Sequence, residues 1–295
     1  MRLDHRVLAQ GAGRIAIVSA GRIEWEYPCA HSSHDIEALP GGNFLLHTAG
    51  NRVQEVTPDK RVVWEWVGQP AGGYNGPIEI HGFQRLRDGR TMIAECGNKR
   101  VIEVGADGRV AFELALKVER PDSHRDTRRA RKLDNGNYLV SHEGMGLVRE
   151  YHPSGRIVWE YVLDLAGQPA VPGAEGHGVS VFHSIRLRNG DTLIAGGNNN
   201  RVFEVDRQGR MRWSIERDEL RHPDGRPIHL NWTTGLHRLP NGNTVIGNTY
   251  CGDGNPQLIE VTRDKRVVWT FHEPAIFGHE ICASHLLDVR GKVLR

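Results

Sequence analysis

At 295 residues the chain is long enough for two ordinary domains, yet no linker or shift in composition divides it. Its formal net charge is only +2, with both signs interleaved, which leaves no basic stripe for nucleic acid. The cysteines Cys29, Cys96, Cys251 and Cys282 form no close pair and no zinc-ligand spacing. No apolar run is long enough to cross a membrane, and IAIVSA near the N-terminus is too short for a signal peptide. These features predict a cytoplasmic protein with neither nucleic acid nor membrane as a partner.

In chain order, residues 6–27 read as the outer strands of a unit that lacks its first strand. From His34 to Trp66 the period-two rule gives four short strands, DIEAL, FLLHT, RVQEV and RVVWEW, separated by Pro-Gly-Gly-Asn, Gly-Asn and Pro-Asp-Lys breaks. The same paragraph recurs from His81, Arg131, His183 and Gly235, giving units near 81–114, 124–161, 177–215 and 229–271. The C-terminal HLLDVRGKVLR begins like a first strand and its turn, then stops where the N-terminal strands begin. The first-turn glycines Gly42, Gly89, Gly136, Gly190, Gly242 and Gly291 recur about every 50 residues. The pattern predicts one all-β domain over 1–295, a six-bladed β-propeller of four-stranded antiparallel blades, with a closing blade shared by the two termini.

Other residues repeat with the blades. Trp25, Trp64, Trp159, Trp213 and Trp269 recur in the fourth strand, with Phe112 in the remaining copy, and read as wedges between blades. Glu55, Glu103, Glu150, Glu204 and Glu260 recur in the third strand and read as partners of backbone or arginine between blades. The basic run SHRDTRRARK (123–132) reads as a solvated connection, with anion binding as the alternative. Strand direction puts the long Pro- and Gly-rich connections on one face with the polar breaks between second and third strands. A site belongs there.

Sixteen histidines is a high count. His34, His81 and His285 fall where an innermost strand begins, and His183 nearly so. His34 and His81 sit five residues before Leu39 and Leu86, whereas His183 sits four before Leu187. A one-residue slip turns a side chain to the other face unless a bulge absorbs it. Blade three has Arg128 at the five-residue position and His124 further out; His31 and His177 lie on approaches, and His229 and His237 near the fifth copy. Imidazoles at the channel mouth suit a divalent transition metal (zinc, manganese or iron), or act as bases or nucleophiles. The alternative is a polar latch that bonds the backbone of the next blade. Glu79, Glu95, Glu143 and Glu280 lie near that face as partners that orient a histidine. Arg85, Arg186 and Arg238 lie on innermost strands, where a cation can hold an anionic substrate.

The run H-x-I-x-x-L-P-x-G-N-x-L-L, followed by N-R-V-x-E-V and V-V-W-E-W, resembles the arylsulfotransferase-type propellers. The D-x-x-G-x-x-x-W ending, as in DRQGRMRW, is similar to quinoprotein-like (PQQ-like) repeats. The first resemblance implies sulfuryl transfer through a channel histidine, with His34, His81, His183 and His285 matching the histidines and Arg186 or Arg238 the arginine. The second stops at the tryptophans, and no pyrroloquinoline quinone is expected. Some propeller lyases and hydrolases hold a metal with channel histidines, which the histidines of this chain loosely resemble. The leading expectation is therefore a metal-assisted lyase or hydrolase acting on a small polar or anionic substrate, with His34, His81, His183 and His285 as metal ligands. Sulfuryl transfer and a non-catalytic scaffold that binds a ligand or protein are the alternatives.

Overall fold

A computed structural model describes residues 4–164, 181–196 and 200–295; His177 and most of the 164–182 connection lie outside them. The protein is an all-β, six-bladed β-propeller of four-stranded antiparallel sheets, with one short helix, Pro274–Phe277 (α1), among the described residues. The described chain falls into two compact units, Cys29–Val162 and Met1–Pro28 with Leu163–Arg295.

In the second of these, β1 (Val7–Gly11), β2 (Arg14–Ser19) and β3 (Arg22–Pro28) join the C-terminal β24 (Ser284–Leu286) in the order β24-β1-β2-β3. The termini thus share a blade, as the broken repeat predicts. His5 staples it, placing Nε2 2.9 Å from the buried Glu260 and Nδ1 2.9 Å from Asp288, with its ring edge-on to Trp269. Burial opposes a charge on His5, but the bonds to Glu260 and Asp288 outweigh it and raise its pKa above 6.5.

The first unit holds three complete blades. They are β4 (Ile36–Ala38) to β7 (Val62–Val67), β8 (Glu79–Arg85) to β11 (Val110–Ala115), and β12 (Arg129–Lys132) to β15 (Ile157–Val162). The other unit adds β16 (His183–Arg186) to β19 (Met211–Ile215) and β20 (Trp232–Arg238) to β23 (Val267–Phe271). Every third strand shifts register against its fourth at the same place, for instance between Glu55 and Val56 and between Glu204 and Val205. The shift sets each glutamate opposite its aromatic partner, Glu55 against Trp64 and Glu204 against Trp213. The carboxylate then reaches the next blade: Glu55 pairs with Arg85 at 2.7 Å, Glu103 with Lys132 at 2.5 Å, and Glu204 with Arg238.

Neighbouring innermost strands are tied by side chains that accept backbone N–H groups. Asp35 accepts from Phe83 N at 3.1 Å, Glu37 from Arg85 N at 2.9 Å, and Gln84 from Lys132 N at 2.9 Å. His183 occupies the same register position as Asp35, four before the turn leucine, and its Nδ1 accepts Leu236 N–H at 3.0 Å. Blade two has Gly82 there because a Cβ would lie 2.8 Å from Ala130 N. Removing an acceptor strands a buried N–H. His183→Ala is therefore expected to cost about 1–3 kcal/mol in urea unfolding, while His183→Gln, which keeps an acceptor, recovers part of it.

The basic run 123–132 differs from the solvated connection its charge predicts. Arg128, Arg129 and Arg131 are buried, and Arg129 and Arg131 converge on Asp35, with Arg131 giving 2.7 and 3.0 Å bonds to its two oxygens. Within the strand Arg129 and Arg131 alternate with Ala130 and Lys132, Arg128 lies just before it, and the acids that neutralise the three come from elsewhere in the chain. A charge run read in isolation cannot reveal that.

Candidate functional site

The histidines come together in the unit formed by Cys29–Val162. His34 precedes β4, and His47 lies in β5 (Phe44–Ala49). His81 projects from β8 where the register against β9 (Thr91–Cys96) shifts between Ile80 and Gly82. This bulge absorbs the slip and turns the side chain out of the pairing pattern. His124 sits on the connection before β12. Ring centroids lie 4.5 Å apart for His34 and His81, 5.2 Å for His81 and His124, and 4.5 Å for His31 and His47. The connection is anchored by Thr127 N on Cys96 Sγ at 3.2 Å and by Gly97 N on Asp126 Oδ2 at 3.0 Å.

Arg128, fully buried, organises the cluster. Its guanidinium pairs with buried Glu143 and donates to His34 Nε2 at 3.0 Å and His124 Nε2 at 3.2 Å. A guanidinium has donors only, so both imidazoles accept at Nε2. The ring proton of His124 is thereby placed on Nδ1, which donates to Glu79 Oε2 at 2.6 Å. His81 is fixed the other way: Nδ1 donates to the Thr127 carbonyl at 3.0 Å, so Nε2 turns a lone pair toward the same Glu79 oxygen, also at 3.0 Å.

Burial sets the protonation of the group. It lowers His81 to about 4, helped by the charge of Arg128, and His47 to about 3. His34 falls well below 6.5 by burial and the adjacent Arg128. Burial would raise Glu79, but the bond that His124 Nδ1–H donates to it pulls the other way and holds it below the ordinary carboxylate range. Two electron-rich atoms, Glu79 Oε2 and His81 Nε2, therefore face each other at 3.0 Å at neutral pH. A positive centre relieves that contact. The ligand-capable atoms of Glu79, His81 and His124 all lie within 4.8 Å of one another. Donors around an ion bonded at about 2.1 Å stand about 3–3.5 Å apart, so the His81–Glu79 separation fits an ion. Burial pushes the neighbouring Cys96 thiol up to about 12, so it stays protonated beside His81.

The sequence-derived candidates divide. His34 and His81 join the cluster, with His124 and His31 drawn in from the approaches. His183 and His285 belong to the other unit; His183 serves the latch to Leu236, and His285 lies half-buried in β24 opposite Leu8. Arg186 bonds the Gly190 carbonyl at 3.0 Å and Thr192 Oγ1 at 2.5 Å, and Arg238 pairs with Glu204. His229 pairs with Asp218 at 2.6 Å on the surface, and His237 bonds Ser284 Oγ at 3.1 Å. Among the acids, Glu143 holds Arg128, Glu95 bonds Trp66, Asn98 and Arg100, and Glu280 is exposed. Sequence reasoning missed His47, a polar residue in the apolar run FLLHT, which is itself the available signal. It weighed Glu79 as an orienting partner, because no spacing links a carboxylate on β8 to a histidine forty-five residues on.

No family model and no curated protein sequence matches the chain. Among solved structures, a protein of unknown function from Bacteroides caccae is similar at 25% identity and a TM-score of 0.78, the match covering 98% of this chain and 100% of that one. A streptogramin B lyase is similar at 11% identity and a TM-score of 0.58, covering 90% and 81%. A catalytically inactive histidine variant of virginiamycin B lyase from Staphylococcus aureus, with quinupristin, is similar at 11% identity and a TM-score of 0.57, covering 92% and 84%. At these identities the two lyases share the β-propeller fold with this chain.

Proposed function

We propose that the chain is a metal-assisted lyase or hydrolase for a small anionic substrate, with Glu79, His81 and His124 holding a divalent zinc, manganese or iron ion. One observation carries this reading: the Nε2 lone pair of buried His81, fixed by the Thr127 carbonyl, points at an ionised Glu79 oxygen that His124 also reaches. An ion there supplies Lewis acidity, polarising a substrate oxygen or a water. The chain's own residues do the rest. Thr127 and Cys96 hold the connection, and Thr127 fixes the tautomer of His81. For His124 to offer Nδ1 to an ion as a neutral imidazole, its ring proton would move to Nε2, which would end the 3.2 Å acceptance from Arg128. His34 remains on Arg128 as a neutral imidazole next to the site, its ring proton held on Nδ1 because Nε2 accepts from the guanidinium.

The likeness to lyases on this fold is analogy and adds only that such a scaffold carries lyase chemistry. Sulfuryl transfer has less support, because the Nε2 atoms of His34 and His124 already accept from Arg128. A panel of small anionic esters and β-substituted carboxylates tests the reading. The expected result is turnover that a chelator abolishes, that added divalent metal restores, and that falls at least about 100-fold in Glu79→Gln. Turnover indifferent to chelator sinks the metal reading, and absence of any turnover in metal-replete protein favours the binding scaffold.

A further inference from the structure

The unit formed by the N-terminal strands and Leu163–Arg295 carries a separate cavity of about 380 Å³, within the size range of small-ligand sites. It lies at the tight turns of the blades built from β16–β19 and β20–β23, beside the C-terminal segment. Four cations line it, Arg188, Arg238, Arg263 and Lys292, while Glu204 is the one acid among the described lining residues. That carboxylate is buried and is already shared by Arg238 and Arg263, the second at 2.5 Å. Arg263 is further fixed over the Trp213 ring at 5.3 Å, and Arg238 through its backbone, which pairs with Leu294 in both directions at 2.8 and 3.0 Å. The guanidiniums are thus held in place before any ligand arrives.

Arg238 also has unused donor capacity, since its buried Nε has no hydrogen-bond partner among the described residues. Glu204 against the three guanidiniums of Arg188, Arg238 and Arg263 leaves a positive surplus in a concave, partly desolvated site, where a charge is screened less than on open surface. Leu187, Leu239 and Leu294 supply an apolar wall next to that charge. The arrangement of fixed guanidiniums beside an apolar wall matches an oxyanion bearing a short apolar group.

We propose that this cavity is a second ligand site, selective for small organic oxyanions such as phosphate monoesters or carboxylates, independent of the Glu79–His81–His124 cluster. Arg188 and Lys292 are exposed at the rim and make no contact with Glu204, so Arg188→Ala/Lys292→Ala is expected to keep the fold. Calorimetric titration with phenyl phosphate, at fixed ionic strength in sodium chloride, is the test. The wild type is expected to bind one equivalent, the double variant at least about tenfold more weakly, and His81→Ala like the wild type. Absence of binding above the chloride background, or equal affinity in the double variant, overturns the proposal. Binding lost in His81→Ala would also overturn it, because the oxyanion would then sit at the histidine cluster. Inorganic phosphate binding as tightly as phenyl phosphate would overturn the role of the apolar wall.

Discussion

Replacing Arg128 with methionine is expected to lower the unfolding free energy by about 3–5 kcal/mol, the usual cost of breaking a buried ion pair from one side. Arg128 and Glu143 are both fully buried, and the substitution removes the guanidinium that pairs with the Glu143 carboxylate. It also removes the donor that His34 Nε2 and His124 Nε2 share. Such a loss is a large part of the ordinary stability of about 5–15 kcal/mol. Arg128→Lys is expected to recover little, since an ammonium cannot reach three partners with the geometry of a planar fork. Adding Glu143→Gln to Arg128→Met removes the carboxylate as well and is expected to restore at least about 1 kcal/mol. Urea unfolding of the four proteins reads all of these, and a loss under about 1 kcal/mol for Arg128→Met would contradict the structural role assigned to the pair.

Acid is expected to destabilise the protein well before its carboxylates titrate. His47 and His142 are buried and neutral, with folded pKa values lowered by burial to about 3 and about 4 against an ordinary 6.5. His142 donates to the Asp126 carbonyl at 2.8 Å and meets the Tyr151 hydroxyl at 2.9 Å, and His47 bonds the Gly50 carbonyl at 3.1 Å. Below pH 6.5 the unfolded chain takes up protons that the folded chain refuses, so stability is complete above 6.5 and falls as pH drops toward 4. Each histidine accounts for about 2 kcal/mol between pH 7 and pH 5, about 4 kcal/mol for the two. His5 behaves oppositely: its raised pKa makes its contribution complete below 6.5 and lost as pH rises through the folded value. Unfolding at pH 7 and pH 5 measures the difference, and His142→Gln is expected to flatten it. Equal stability at the two pH values would contradict the neutral, buried state of these rings.

The fold was legible because its determinants are local and repeated. The alternation in DIEAL and FLLHT, the glycines at each first turn, and the glutamate opposite each aromatic partner all appear in the sequence several times over. The shared closing blade followed from where the repeat breaks. The site was legible only in part, because it depends on departures from the repeat. His81 reaches the cluster through a bulge that shifts register between Ile80 and Gly82, whereas His183, one position nearer its turn, takes the place of Asp35 and bonds Leu236 N. The slip was visible in the residue count; its consequence was not. The buried arginines of 128–131 were also hidden, since their partners Glu143 and Asp35 are set by packing.

Metal stoichiometry tests the central claim most directly. Elemental analysis of protein purified without a histidine tag, before and after chelator and on metal reloading, is expected to give about one equivalent of zinc, manganese or iron per chain. Glu79→Gln and His81→Ala are expected to lose it, whereas His183→Ala, altered only at the latch, keeps it. Metal-free protein under metal-replete conditions, or metal retained when Glu79 and His81 are both replaced, would contradict the assignment.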